Sequence, residues 1–180
     1  MTSAPSRGFT IRRIQLEDVP AVRKLMIRIF EEDFGYGYRP ELHQDVDDLE
    51  GVYMRNPRHA LFVAADDLTG EIIGTAGVRA GRLKPGLSPD FLVQRYESDS
   101  VAQLVRVYVL HEHRRRGAAR ALVQATLDFI AADGHYNLIS LHTHPFSPGA
   151  MDFWRAMGTT TVYEPADGQE VFFEMAIPRN

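Results

Sequence analysis

The chain has 180 residues, of which 44% are hydrophobic and 24% charged, the balance of an ordinary globular protein rather than a disordered one. It contains no cysteine, which excludes disulfides, thiol catalysis and cysteine-ligated zinc and makes a reducing cytoplasm the expected compartment. A formal net charge of −4 argues against a dedicated binder of nucleic acid or of anionic membrane, and the longest apolar run, residues 60–65, is far too short for a membrane span. The first ten residues lack the apolar stretch of a secretion signal.

Residues 1–8 read as a loose tail, and one domain is expected over 9–180. Phe9, Ile11 and Ile14 suggest a short strand, and Glu17-Asp18 followed by Pro20 is good chemistry for a helix start. Val22, Leu25, Met26 and Ile29 then recur at the spacing of one buried helical face. The glycines and proline of residues 35–40 end that helix, and a second, weaker helix is expected over 41–54. Residues 60–65 and 71–79 are apolar runs joined by an Asp- and Gly-containing turn, the pattern of a hairpin. Residues 81–99 read mostly as loop, with a helical turn near 91–96. Residues 101–109 predict a central strand. An alanine-rich helix follows over 118–132, with Leu122, Ala125 and Phe129 as its core stripe and Gly134 as its stop. A short strand (138–141), a short helix (150–157, stopped by Gly158) and a final β pair (159–163 with 171–177) complete the chain. The order is β-α-α-β-β-β-α-β-α-β-β, which predicts a mixed α/β sheet with helices on its faces, in one domain.

The informative segment runs from Val109 through His111-Glu112-His113 to Arg114-Arg115-Arg116-Gly117-Ala118-Ala119-Arg120. A central strand ends, a turn of arginines and small residues follows, and a long helix opens at once. Unpaired backbone N–H groups at that helix start converge with the positive end of its dipole. Small side chains at 117–119 let a ligand approach the backbone, and a diphosphate suits such a nest. The segment is neither a P-loop nor a three-glycine dinucleotide fingerprint. Positive side chains at a helix start are unfavourable to the dipole, a mismatch that hints at an expected anion, although a solvated arginine run explains the segment as well.

These residues resemble the GNAT superfamily of acyl-CoA-dependent N-acyltransferases, whose pyrophosphate motif Gln/Arg-x-x-Gly-x-Gly/Ala is satisfied by Arg114 to Ala119. The resemblance extends to Val107-Tyr108-Val109 as the family's splayed fourth strand and to residues 134–141 as the strand after the helix. It also takes in Ala150-Met151-Asp152-Phe153-Trp154-Arg155-Ala156-Met157-Gly158 as the family's short last helix. It implies acetyl-CoA as cosubstrate, without a metal, and a splayed central strand pair. Arg114, Arg115, Arg116, Gly117, Ala118, Ala119 and Arg120 would surround the pyrophosphate, held by backbone N–H groups. Pantetheine would pair with Val107, Tyr108 and Val109, close to Ser147 and Trp154. The Val107 N–H would face the thioester carbonyl and stabilise its developing negative charge, and an amine would attack directly in a ternary complex. A homodimer is compatible with the family.

The chain departs from the family pattern at three positions, one of them Ser147, which replaces the family's asparagine near the pantetheine. Gln103 stands where many members carry a glutamate base, and Trp154 where many carry a tyrosine acid; neither replacement transfers protons. Glu97, Asp99, a water chain, Tyr108 or an acceptor amine of low pKa are the alternatives. His111 with His113, and His142 with His144, have metal-compatible spacing if extended, although solvated or strand-end histidines explain them better. His142 or His144 would otherwise reach an acceptor amine. Phe34-Gly35-Tyr36-Gly37-Tyr38-Arg39 lies where the family places an acceptor loop; Tyr36 and Tyr38 would form its wall and Arg39 would grip a carboxylate. The same residues read equally as a surface turn whose aromatics cap the core. Arg106 needs a partner if it is buried. The function expected is acetyl transfer to a primary amine of a small molecule. The alternatives are a non-catalytic acyl-CoA sensor and, disfavoured by net charge, nucleic-acid binding through Arg114 to Arg116.

Overall fold

A computed structural model describes residues 8–178 of the chain. The tail expected over 1–8 lies outside the described residues except for Gly8. In chain order the elements are β1 (Phe9–Arg13), α1 (Val19–Glu32), α2 (Gln44–Asp47), β2 (Ala60–Asp66), β3 (Ile72–Ala80), α3 (Asp90–Arg95) and β4 (Val101–Val109). They continue with α4 (Ala118–Asp133), β5 (Leu138–Thr143), α5 (Ala150–Ala156), β6 (Thr160–Tyr163) and β7 (Val171–Met175). The strands form a mixed seven-stranded sheet in the order β1-β2-β3-β4-β5-β7-β6. The chain groups into two compact units, one comprising residues up to Gly77 with Arg106–Thr126, the other Val78–Val105 with Leu127 onward.

In the first unit, β1 pairs antiparallel with β2, with Ile11 opposite Ala64 and Arg13 opposite Phe62. That register turns Phe9, Ile11, Phe62 and Ala64 to one face, where they pack with Ile73, Val107, Val109, Ala118 and Leu122. Each large aliphatic side chain fully buried there contributes about 1.5–3 kcal/mol. The first turn of α4 is thereby fastened beneath the end of β4. Gly74 is needed for this packing: a Cβ there would lie 2.8 Å from the Tyr108 carbonyl oxygen and 3.1 Å from side-chain carbons of Leu122 and Val109. At the start of α1, Asp18 accepts the Gln15 N–H (2.8 Å) and two hydrogen bonds from Arg12 (2.6 and 2.9 Å). The Arg12 guanidinium lowers the Asp18 pKa against the opposing effect of burial. Val22, Leu25, Met26 and Ile29 are buried as their spacing predicts, and Phe30 joins them.

The second unit centres on β5 and β7, antiparallel with Ile139 opposite Met175 and Leu141 opposite Phe173, and on β6 paired outside β7 with a bulge between Thr161 and Tyr163. β4 pairs in parallel with β5 through residues 101–103 against 138–140. Leu83, Leu92, Tyr96, Val101 and Phe172 form the core. Glu174 on β7 accepts from Arg95 and from the Tyr96 hydroxyl, each at 2.9 Å, tying α3 to the sheet.

Three local expectations need correction. The helix expected over 41–54 breaks into α2 and a π-helical turn, Glu50–Met54. Asp48 leaves helical geometry between them and its carboxylate accepts the Gly51 N–H at 2.9 Å, a local side-chain bond that competes with the helix. The buried stripe of α4 is Ala118, Leu122, Val123, Thr126, Leu127 and Ile130, while Ala125 and Phe129 are only half-buried. Finally, His111–His113 is a 3-10 turn, so these two histidines do not share a side as they would in extended chain.

Candidate functional site

The turn between β4 and α4 is held by its own arginines. Arg114 donates from Nε to the Val109 carbonyl at 2.9 Å and pairs with Asp33 at the end of α1. Arg116 donates to His113 Nδ1 at 2.8 Å, to the Gly8 carbonyl at 3.1 Å and to Asp66 at 3.3 Å. Asp66, which also accepts the N–H groups of Leu68 and Thr69, is held below the usual carboxylate range first by those backbone bonds and then by Arg116. Glu112 and Arg28 add a further pair at 2.7 Å. Arg115 and Arg120 are exposed, and their guanidinium groups have no side-chain partner among the described residues.

Backbone conformation shapes the same turn. Arg115 has φ +64 and Gly117 φ +85, successive departures into the left-handed region that only glycine adopts freely. A Cβ built on Gly117 would have no atom within 4 Å, so the peptide there borders open space. The Ala121 N–H bonds to the Gly117 carbonyl, the first bond of α4. The N–H groups of Ala118, Ala119 and Arg120 therefore have no acceptor within the helix, and they lie beside Gly117 at the positive end of a sixteen-residue helix. Donors, positive charge and open space thus meet at the start of α4, the elements that an anion site requires.

The other side of β4 in this unit carries a buried polar cluster that the sequence did not announce. Arg106, with φ +54, donates to Asp45 through Nε (2.9 Å) and Nη2 (2.6 Å), and to the Leu42 carbonyl at 3.0 Å. Their side chains are 12% and 3% exposed, so the partner that a buried Arg106 needs is Asp45. Tyr53 donates its hydroxyl to Asp45 at 2.6 Å. His43, 1% exposed, stacks on Phe30 at 3.9 Å, and its Nδ1 accepts the Arg39 N–H. Burial, reinforced by the Arg106 charge, pulls the His43 pKa down to about 4, so this imidazole is neutral. Asp45 and Arg106 are 61 positions apart, and no local spacing links them.

Around this cluster the loop after α1 stacks aromatics as a cap. Tyr36 lies on Phe34 (5.5 Å) and His43 (6.0 Å), and the Arg39 guanidinium sits over the Tyr36 ring at 5.1 Å. Tyr38 donates its hydroxyl to Asp47, and Tyr108 packs edge-on to Phe30 and Phe34. Arg39 itself is exposed. In the second unit Gln103 is buried and accepts from Arg79 at 3.1 Å, while Asp99 pairs with His135 and Glu97 is exposed. Trp154 is buried against Phe153, and Ser147 is half-buried with its N–H on the His144 carbonyl. His142 stands 3.9 Å from Glu170, and His144 bonds to the Gln169 carbonyl. Among the described residues no group of three or more His, Cys, Asp or Glu is placed to hold a metal, and no helix is long and apolar enough to cross a membrane.

Comparison with known proteins supplies the context for this geometry. The N-acetylaspartate synthetase of Xenopus tropicalis is 29% identical over 117 residues, covering 65% of this chain and 36% of the relative. The human protein of the same name is 28% identical over 117 residues, and the chain spans about a third of the length of these curated relatives. A GNAT-family acetyltransferase of Staphylococcus aureus Mu50 superposes with a TM-score of 0.72 at 14% identity, over 94% of this chain and 99% of that one. The PaiA N-acetyltransferase of Thermoplasma acidophilum, solved in complex with coenzyme A, superposes with a TM-score of 0.69 at 15% identity, over 93% and 98%. At such identities the superpositions establish the fold. The sequence model of the acetyltransferase (GNAT) family matches residues 21–159, and the chain belongs to that family.

Proposed function

We propose that the protein transfers an acetyl group from acetyl-CoA to the primary amine of a small molecule that also bears a carboxylate. The observation that carries this reading is the start of α4, where the N–H groups at 118–120 that have no acceptor within the helix, the open flank of Gly117 and the exposed Arg115 and Arg120 meet. In this reading those N–H groups hold the pyrophosphate, and the two guanidinium groups screen its charge and that of a neighbouring phosphate. Arg114 and Arg116 keep the turn in shape through Val109, Asp33, His113 and Asp66. Val107, Tyr108 and Val109 offer backbone to pantetheine. Acetyl-CoA supplies an acyl carbon activated by a thiolate leaving group. The Val107 N–H donates to the carbonyl oxygen as it gains charge while the neutral acceptor nitrogen forms its bond to carbon; the C–S bond then breaks, CoA leaves as a thiolate that solvent protonates, and the nitrogen gives its surplus proton to water.

Arg39, exposed and braced on Tyr36, is assigned to the acceptor carboxylate, with Tyr36 and Tyr38 as the wall beside it. The names of the N-acetylaspartate synthetases support an acceptor of this type, because an amino acid joins an amine to a carboxylate. Gln103 is an amide engaged by Arg79, and Trp154 is a buried indole, so the acceptor amine has to arrive neutral or lose its proton to water. Those two replacements favour a second reading, a module that binds acyl-CoA without turning it over. Calorimetric titration with acetyl-CoA, CoA and ADP tests the shared site. Micromolar binding with CoA much tighter than ADP is expected, and no binding removes both readings. Turnover with a panel of amino acids and other amines then separates them.

A further inference from the structure

The peptide between Arg106 and Val107 holds both ends of a device that no motif reveals. Between the Val101 carbonyl, bonded to the Gly81 N–H, and the Leu110 N–H, bonded to the Ile73 carbonyl, β4 takes one residue step more than β3 does. The extra residue is a bulge, and Arg106 at φ +54 is where the backbone departs from the strand. An arginine in the left-handed region costs free energy unless its surroundings hold it there. Here its side chain is clamped by Asp45 and the Leu42 carbonyl. Its carbonyl oxygen accepts the Thr75 hydroxyl at 2.7 Å, from a threonine with no solvent exposure. No cis peptide occurs among the described residues, so the Arg106 carbonyl and the Val107 N–H are trans across one rigid plane. A hydroxyl that holds the carbonyl on the β3 side therefore aims the Val107 N–H away from β3.

We propose that Thr75 is a positioning residue for the oxyanion donor: its hydroxyl, by binding the Arg106 carbonyl, sets the orientation of the Val107 N–H. This rests on the assignment of Val107 in the proposed function. A buried threonine on β3 is otherwise read as a tolerated polar residue in an apolar strand. The bond to a bulge carbonyl gives the hydroxyl a purpose that shape alone does not, since valine fills the same volume.

The test is isotope-edited infrared spectroscopy of acetyl-CoA labelled with carbon-13 at the acetyl carbonyl, bound to the intact protein. In the native protein the carbonyl band should shift to lower frequency on binding, reporting a hydrogen bond. Thr75→Val should bind with affinity within about threefold of native, because the diphosphate cradle is untouched, yet lose most of the shift. Thr75→Ser, which restores the hydroxyl, should recover it. Thr75→Ala provides the same loss of hydroxyl without added bulk if the valine variant does not fold. A full shift in a folded variant without the hydroxyl overturns the role of Thr75 and leaves the Val107 assignment standing. Bound acetyl-CoA with no shift in the native protein overturns the Val107 assignment and the role of Thr75 with it. Absence of binding in the native protein overturns the functional reading as a whole.

Discussion

Gly117 and His43 show how single residues are constrained for different reasons. At Gly117, φ is +85 and the flank is open, so a side chain there would be strained by the backbone rather than by crowding, and the position borders the proposed diphosphate. Gly117→Glu adds strain and a negative charge at that point, and CoA affinity should fall by at least about a hundredfold in a calorimetric titration. Native affinity in this variant would remove the cradle from consideration. His43 is buried and neutral, its pKa pulled from 6.5 to about 4 by desolvation and by Arg106. Between those values the unfolded chain takes up a proton that the folded chain refuses, so stability declines as pH falls from about 6.5 to about 4. Thermal unfolding across that range should show a shallower decline in His43→Gln. An identical slope in both proteins would mean that His43 is protonated in the fold.

At the scale of elements, β3, β4 and the start of α4 depend on contacts too close for ordinary side chains. Gly74 faces the Tyr108 carbonyl, and a Cβ there would need backbone to move rather than a side chain to turn. Gly74→Ala should lower stability by about 1–3 kcal/mol in urea unfolding, the usual cost of overpacking. The same displacement should weaken acetyl-CoA binding, since residues 107–109 are the proposed pantetheine edge. Loss of stability with unchanged affinity would separate the packing role from the site. The broken second helix follows the same logic, because Asp48 caps Gly51 while Asp45 and Tyr53 on either side of the break turn inward to one another.

For the molecule as a whole, a ligand that binds only the folded chain raises its stability by mass action. Acetyl-CoA at a hundred times its dissociation constant should add about 2.7 kcal/mol and raise Tm accordingly. The rise should shrink with added salt, because Arg115 and Arg120 are exposed and their charges are screened. A Tm insensitive to acetyl-CoA at all concentrations would argue that the folded state holds no such site. The low-identity superpositions make the same point about scale: the fold is shared over nearly the whole chain at 14–15% identity, so the acceptor has to be read from the residues of this chain.

Element order, the buried face of α1 and the arginine turn before α4 were legible in the sequence, because each depends on residues close together along the chain. Apolar spacing marked α1, glycine marked the helix stops, and the run Arg114 to Arg120 marked the proposed anion cradle. The edge order β5-β7-β6, the left-handed Arg106 and the cluster of His43, Asp45, Tyr53 and Arg106 required the tertiary structure. The stripe of α4 was misplaced because an alanine-rich helix offers apolar residues on more than one face, and neighbouring packing selects among them. Thr75 stood unnoticed for the same physical reason: a hydroxyl on an apolar strand has no partner until another strand brings a carbonyl to it. Local propensity and periodicity are written along the chain, whereas the pairing of distant polar groups is decided only when burial leaves them no water to bond with.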